Sequence, residues 1–141
     1  MSYTKVFSLA VLAFSAALTV ARGADFKVVA NPSVGAASIS ADELKGVFLM
    51  TKTSLKDAGH VEPVLEKGGP VHESFVKEYL GKTDAGLQNY YRSLAFTGKG
   101  SIPKEVASDA DVVSTVAKTT GAIGYIGAET EAAGVKVLEV K

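Results

Sequence analysis

The chain opens with one long apolar run and then switches repeatedly between two shorter periodicities. Val6 to Ala21 is apolar except for Ser8, Ser15 and Thr19, and a single cation, Lys5, precedes the run. Beyond it, Phe26-Lys27-Val28-Val29-Ala30 reads as a buried strand, closed by Asn31-Pro32. Ser40-Ala41-Asp42-Glu43 has the spacing of a capping box, in which the serine hydroxyl takes a backbone N–H and the glutamate reaches back. Leu44, Val47 and Phe48 then fall on one helical face.

Val61 to Leu65 is a second strand, and Pro63 predicts that it lies at an edge or ends there. The loop Lys67-Gly68-Gly69 leads into Pro70, a favoured first helical residue. Phe75, Val76, Tyr79 and Leu80 form the buried stripe of that helix, which Gly81 can stop. Thr83 caps a third helix bearing Leu87, Tyr90, Tyr91 and Leu94. Ser108 opens a fourth, with Val112, Val113, Val116 and Ala117 inward and Gly121 at its end. Ala122 to Ile126 is a strand with Gly124 inside it, a sign of close backbone approach. Val135, Val137 and Val140 mark a last strand.

Strands separated by helices predict an α/β fold: a mainly parallel sheet flanked by helices, joined by right-handed crossovers. Ligands of such open sheets sit beyond the carboxyl ends of the strands, against helix N-termini.

Composition changes this picture in three places. The opening run is shorter than the roughly 20 residues a bilayer requires and ends in Ala21-Arg22-Gly23, with small residues at −3 and −1. It therefore reads as a secretory signal over residues 1–23, cleaved after Gly23, with Ala21 the second choice. Residues 24–141 form the domain, expected in the periplasm or secreted. The chain has no cysteine, which excludes disulfides, a thiolate nucleophile, thiolate metal sites and a lipidated cysteine. Losing Lys5 and Arg22 leaves thirteen basic residues against fifteen acidic ones, a net charge of about −2. No basic excess exists to attract nucleic acid.

Candidate chemistry concentrates in two glycine-containing loops. Lys67-Gly68-Gly69-Pro70-Val71-His72 joins a strand end to a helix start, where backbone N–H groups lack helical partners and the dipole favours an anion. The glycines allow close approach, and Lys67 and His72 offer charge or a donor. The bland alternative is an ordinary βα turn with a solvated lysine. Phe96-Thr97-Gly98-Lys99-Gly100-Ser101 has the alternating glycines of an N–H nest that binds anions, or is simply an exposed loop. Arg92 lies one helical turn earlier, as a phosphate fork or a solvated side chain.

Enzyme motifs are absent from the sequence. There is no G-x-S-x-G elbow and no phosphate-binding G-x-x-x-x-G-K-[ST] loop, and Gly121, Gly124 and Gly127 lack dinucleotide spacing. His60 and His72 sit in no metal-ligand pattern, so no metal, cofactor or catalytic residue is expected. Glu62, Glu66 and Glu73 read as solvated surface acids.

Four stretches in order resemble a known family. Ile39 to Leu49 resembles an early helix of the phosphate ABC transporter substrate-binding proteins. Gly68 to Phe75 falls at that family's glycine-serine helix start, and Phe96 to Gly100 follows in the right place. Gly121-Ala122-Ile123-Gly124-Tyr125-Ile126 is similar to the strand near its hinge. The resemblance implies a type 2 periplasmic binding fold, of which this chain has room for one lobe. It also implies phosphate or a similar oxyanion as ligand and a transporter permease as partner, with a homodimer completing the cleft. The expected contacts are Lys67, Gly68, Gly69, Val71 and His72, faced by Thr97, Gly98 and Lys99. The family's arginine and hydroxyl ligands have no counterpart between Leu65 and Val71. A structural or interaction module that kept the fold and lost the ligand is the second expectation.

Overall fold

The computed structural model describes residues 25–56 and 58–141, so the expected signal segment lies outside the described residues. Among the described residues, eight strands and four α-helices follow one another: β1 (Phe26–Ala30), β2 (Ser38–Ile39), α1 (Ala41–Phe48), β3 (Ser54–Leu55), β4 (Gly59–His60), β5 (Glu62–Glu66), α2 (Pro70–Phe75), α3 (Asp84–Phe96), β6 (Lys104–Val106), α4 (Asp109–Lys118), β7 (Ala122–Gly127) and β8 (Lys136–Val140). A π-helical turn, Val76–Leu80, prolongs α2 and stops at Gly81, whose left-handed backbone (φ 63°) a side chain would resist.

The main sheet has the order β2-β8-β1-β7-β5-β6. β2–β8, β7–β5 and β5–β6 pair in parallel, whereas β1 runs antiparallel to both neighbours. The sheet is thus mainly parallel, with β1 inserted against the grain. β3 and β4 form a separate small hairpin.

Alternation along the strands builds a core on each face. Val28 and Ala30 face one side with Leu44, Val47 and Phe48 of α1, Phe75 of α2 and Leu87 and Tyr91 of α3. Val29, Val64 and Ile126 face the other, under Val112 and Val116 of α4. Tyr125 stacks on Phe75 with centroids 4.0 Å apart, which fixes α2 on the sheet.

Three sequence expectations need adjustment. β5 is an interior strand, yet Pro63 is tolerated there. The N–H of Glu62 donates to the Gly121 carbonyl on the β7 side, so Pro63 presents its missing N–H toward β6. Pairing with β6 begins only at Val64, one residue later. In β8, Val137, one of the three valines that marked the strand, is 50% exposed, while Leu138 is buried and Val140 packs on the same core. At α1, Ser40 accepts from the Glu43 N–H at 3.1 Å, but Glu43 accepts from the serine hydroxyl instead of its backbone N–H.

Candidate functional site

The carboxyl ends of β5, β6 and β7 lie together, as parallel pairing requires, and α2 and α4 begin there. Lys67, Gly68, Gly69 and Pro70 are exposed at this end, and Val71 is half-buried. Gly69 is the N-cap of α2, with φ 99° and ψ 171°, a backbone region open essentially to glycine alone. Among the described residues, Ser40, Thr83 and Ser108 cap α1, α3 and α4 with their hydroxyls, while α2 has no side-chain cap. The first α-helical bond there runs from the Glu73 N–H to the Gly69 carbonyl, leaving the N–H groups of Val71 and His72 pointing off the helix end.

His72 does not supply a side-chain donor to this surface. Its imidazole is 0% exposed, and both ring nitrogens are engaged. Nδ1 meets the Tyr125 hydroxyl, and Nε2 lies 2.7 Å from Asp84 Oδ1. The Tyr125 hydroxyl accepts in turn from the Glu66 N–H at 3.0 Å. These bonds satisfy both ring nitrogens and the buried hydroxyl: with Nε2–H donating to Asp84, Nδ1 accepts from the tyrosine. Burial is the main cause that pushes the Tyr125 phenol well above its ordinary value.

The second expected segment lies elsewhere. Thr97, Gly98 and Lys99 are exposed and lead into Ser101–Pro103, just before the amino end of β6. Ser101, Ile102 and Pro103 line a groove with Pro63 and Val64 at the opposite end of β5 from Lys67. The two loops are therefore not opposing walls of one site. Arg92 is exposed, with only a 3.4 Å contact to Asn89 on its own helix.

Sequence reasoning also missed a buried acid behind the α2 start. Glu66 is 4% exposed rather than solvated, and its Oε1 has no hydrogen-bond partner. Asp109, the first residue of α4, is the acid whose charge acts on it. Asp109 Oδ2 accepts from the Gly127 N–H at 2.8 Å and the Thr130 hydroxyl at 2.5 Å. Burial, and after it the nearby Asp109, push the Glu66 acid up to about 8. Burial opposes the charge of Asp109, but its neighbour Glu66 and the hydrogen bonds from Thr130 and Gly127 outweigh it and hold that carboxyl below its usual range. The signal was present in the strand phase. Val64 and Glu66 are two residues apart, so Glu66 follows Val64 onto the buried face.

The fold is shared with solved phosphate-transport proteins. An ABC-type phosphate transport receptor from Vibrio cholerae aligns at 17% identity and TM-score 0.62 over 83% of this chain and 46% of its own. PstS from Borrelia burgdorferi aligns at 17% and 0.64, over 84% and 47%. A putative phosphate ABC transporter substrate-binding protein from Clostridium perfringens, solved with bound phosphate, aligns at 15% and 0.63, over 83% and 45%. The chain thus spans under half the length of the structures it matches. No family model matches it, and no curated protein matches it by sequence. Among the described residues, no helix is long and apolar enough to cross a membrane.

Proposed function

We propose that the chain is an exported solute-binding protein that takes phosphate or another small oxyanion and works with an ABC transporter permease. The site is the start of α2, with the backbone N–H groups of Gly68, Gly69, Val71 and His72 as donors and Lys67 as the cation. The observation that carries this reading is the exposed helix start without a side-chain cap, placed at the carboxyl end of β5 in a fold shared with phosphate-transport proteins. With backbone donors and one exposed lysine, affinity is modest and weakens with salt. A second copy of the chain covers the open side of the site as a homodimer. Residues 1–23 direct export and are removed after Gly23. Calorimetric titration of the exported protein with phosphate and sulfate at neutral pH tests the binding claim, and saturable heat at millimolar or lower concentration is expected.

The second reading is an interaction module without a ligand. It is favoured by the buried Glu66 behind the site and by the inward-turned His72, which leave fewer groups for an anion. Absence of heat with every oxyanion would select it.

A further inference from the structure

A groove at the other end of β5 has no part in the oxyanion reading. The parallel ladder between β5 and β6 begins at Val64 and Lys104. One position earlier both strands carry proline, Pro63 and Pro103, and neither has an N–H to continue it. The ladder stops there, and a groove of about 330 Å³ opens between these strands, the β3–β4 hairpin and α4. Val61, Pro63, Val64 and Pro103 give it a buried apolar floor. Ile102, 51% exposed, and half-buried Met50 add to the lining.

Met50 sits in this lining at a conformational cost. At the end of α1 the Met50 N–H donates to the Val47 carbonyl, and the Thr51 N–H to that of Gly46. Met50 therefore takes the left-handed position that such helix ends usually give to glycine, with φ 62°. Among the described residues it is the only non-glycine with positive φ. A long, adaptable apolar side chain is kept where the backbone favours none.

The charge around the groove is positive. Lys52 and Lys104 both line it, and among the described residues neither is in an ion pair. A β-carbon on Gly46 would stand 3.1 Å from Lys52 Cγ, so that lysine's stem lies against α1 while its ammonium stays in water. The acid of the lining, Glu62, lies 3.3 Å from His60 Nε2. α4 ends beside the groove, but its last carbonyls are occupied. Those of Val116 and Ala117 accept from Asn31 Nδ2 at 2.8 and 3.1 Å, and that of Thr119 accepts from the Ala122 N–H.

We propose that this groove binds a small aliphatic carboxylate. Its hydrocarbon lies on the proline floor against Met50 and Ile102, and Lys52 and Lys104 attract its charge. The lining holds no Phe, Tyr or Trp on which a flat ring could stack, so a flexible chain fits it better. Place and ligand both differ from those at the start of α2, so either site can fail without the other.

The test is amide NMR of the exported protein titrated with hexanoate, hexanamide and acetate at neutral pH. Hexanoate is expected to give saturable shifts centred on Val61, Val64, Ile102 and Lys104, with a millimolar Kd, as suits so small a ligand. Hexanamide keeps the chain without the charge, and acetate keeps the charge without the chain. Each should bind about fivefold more weakly or worse. Met50→Gly suits the backbone and removes the side chain, so the protein should stay folded and lose hexanoate affinity several-fold. Lys52→Gln combined with Lys104→Gln should lose about fivefold at low salt. The proposal is overturned by hexanoate shifts that fail to saturate or that centre on Gly68–His72. Hexanamide binding as well as hexanoate, or either variant binding like the wild type, would equally overturn it.

Discussion

Gly124 of β7 lies directly beneath Val112 of α4: a β-carbon on the glycine would stand 2.7 Å from Val112 Cγ1 and 3.2 Å from Val116 Cγ2. This contact lets α4 sit close on the strand, and it places Asp109, at the start of α4, beside the ends of β5 and β7. Gly124→Ala should therefore destabilise the protein by about 1–3 kcal/mol, the usual cost of overpacking a dense core. Urea unfolding measures it. Combining the change with Val112→Ala should cost less than the sum of the single variants, because the smaller residue vacates the clashing position.

His72 is a structural residue in this account. His72→Leu removes the acceptor of the buried Tyr125 hydroxyl and the donor to Asp84. A loss of about 1–3 kcal/mol is expected, as for a buried polar group left unpaired. Removing the tyrosine hydroxyl as well, with Tyr125→Phe, should recover part of that loss. Additive losses in the double variant would contradict the hydrogen-bond chain.

The two loop glycines should behave differently. Gly68 has open space around it and no positive φ, so Gly68→Ala should change stability by less than about 0.5 kcal/mol while weakening oxyanion binding. Gly69 has equal space but φ 99°, so Gly69→Ala should destabilise by about 1–3 kcal/mol through backbone strain alone. Parallel unfolding and titration of both variants separates space from conformation.

Charge is expected to matter at one loop and not the other. Lys67→Ala should weaken binding by on the order of 1 kcal/mol or less, with the difference shrinking as salt is added. Lys99→Ala should leave binding unchanged, because its loop precedes the amino end of β6, away from the start of α2.

Much of the fold was legible from one-dimensional signals. β1, α1, α3, α4 and β7 each combine a clear period with a cap, a stop or an internal glycine, and each forms where those signals fall. β2, β3, β4 and β6 were not legible, because two or three residues cannot display a period, and Lys104-Glu105-Val106 carries two charges in three positions. Of the site, the glycine loop before α2 could be read locally. The burial of His72 could not, since its partners Tyr125 and Asp84 are fixed by tertiary packing. The separation of the two loops was equally hidden. It depends on which end of β6 the Thr97–Ser101 segment precedes, and β6 itself was invisible.

The most direct measurement of the central claim is amide NMR mapping of the exported protein during titration with inorganic phosphate at pH 6.5. The account predicts saturable shifts centred on Gly68, Gly69 and Val71, with Thr97, Gly98 and Lys99 unmoved. Shifts centred on the Thr97–Lys99 loop, or none anywhere at millimolar phosphate, would contradict it.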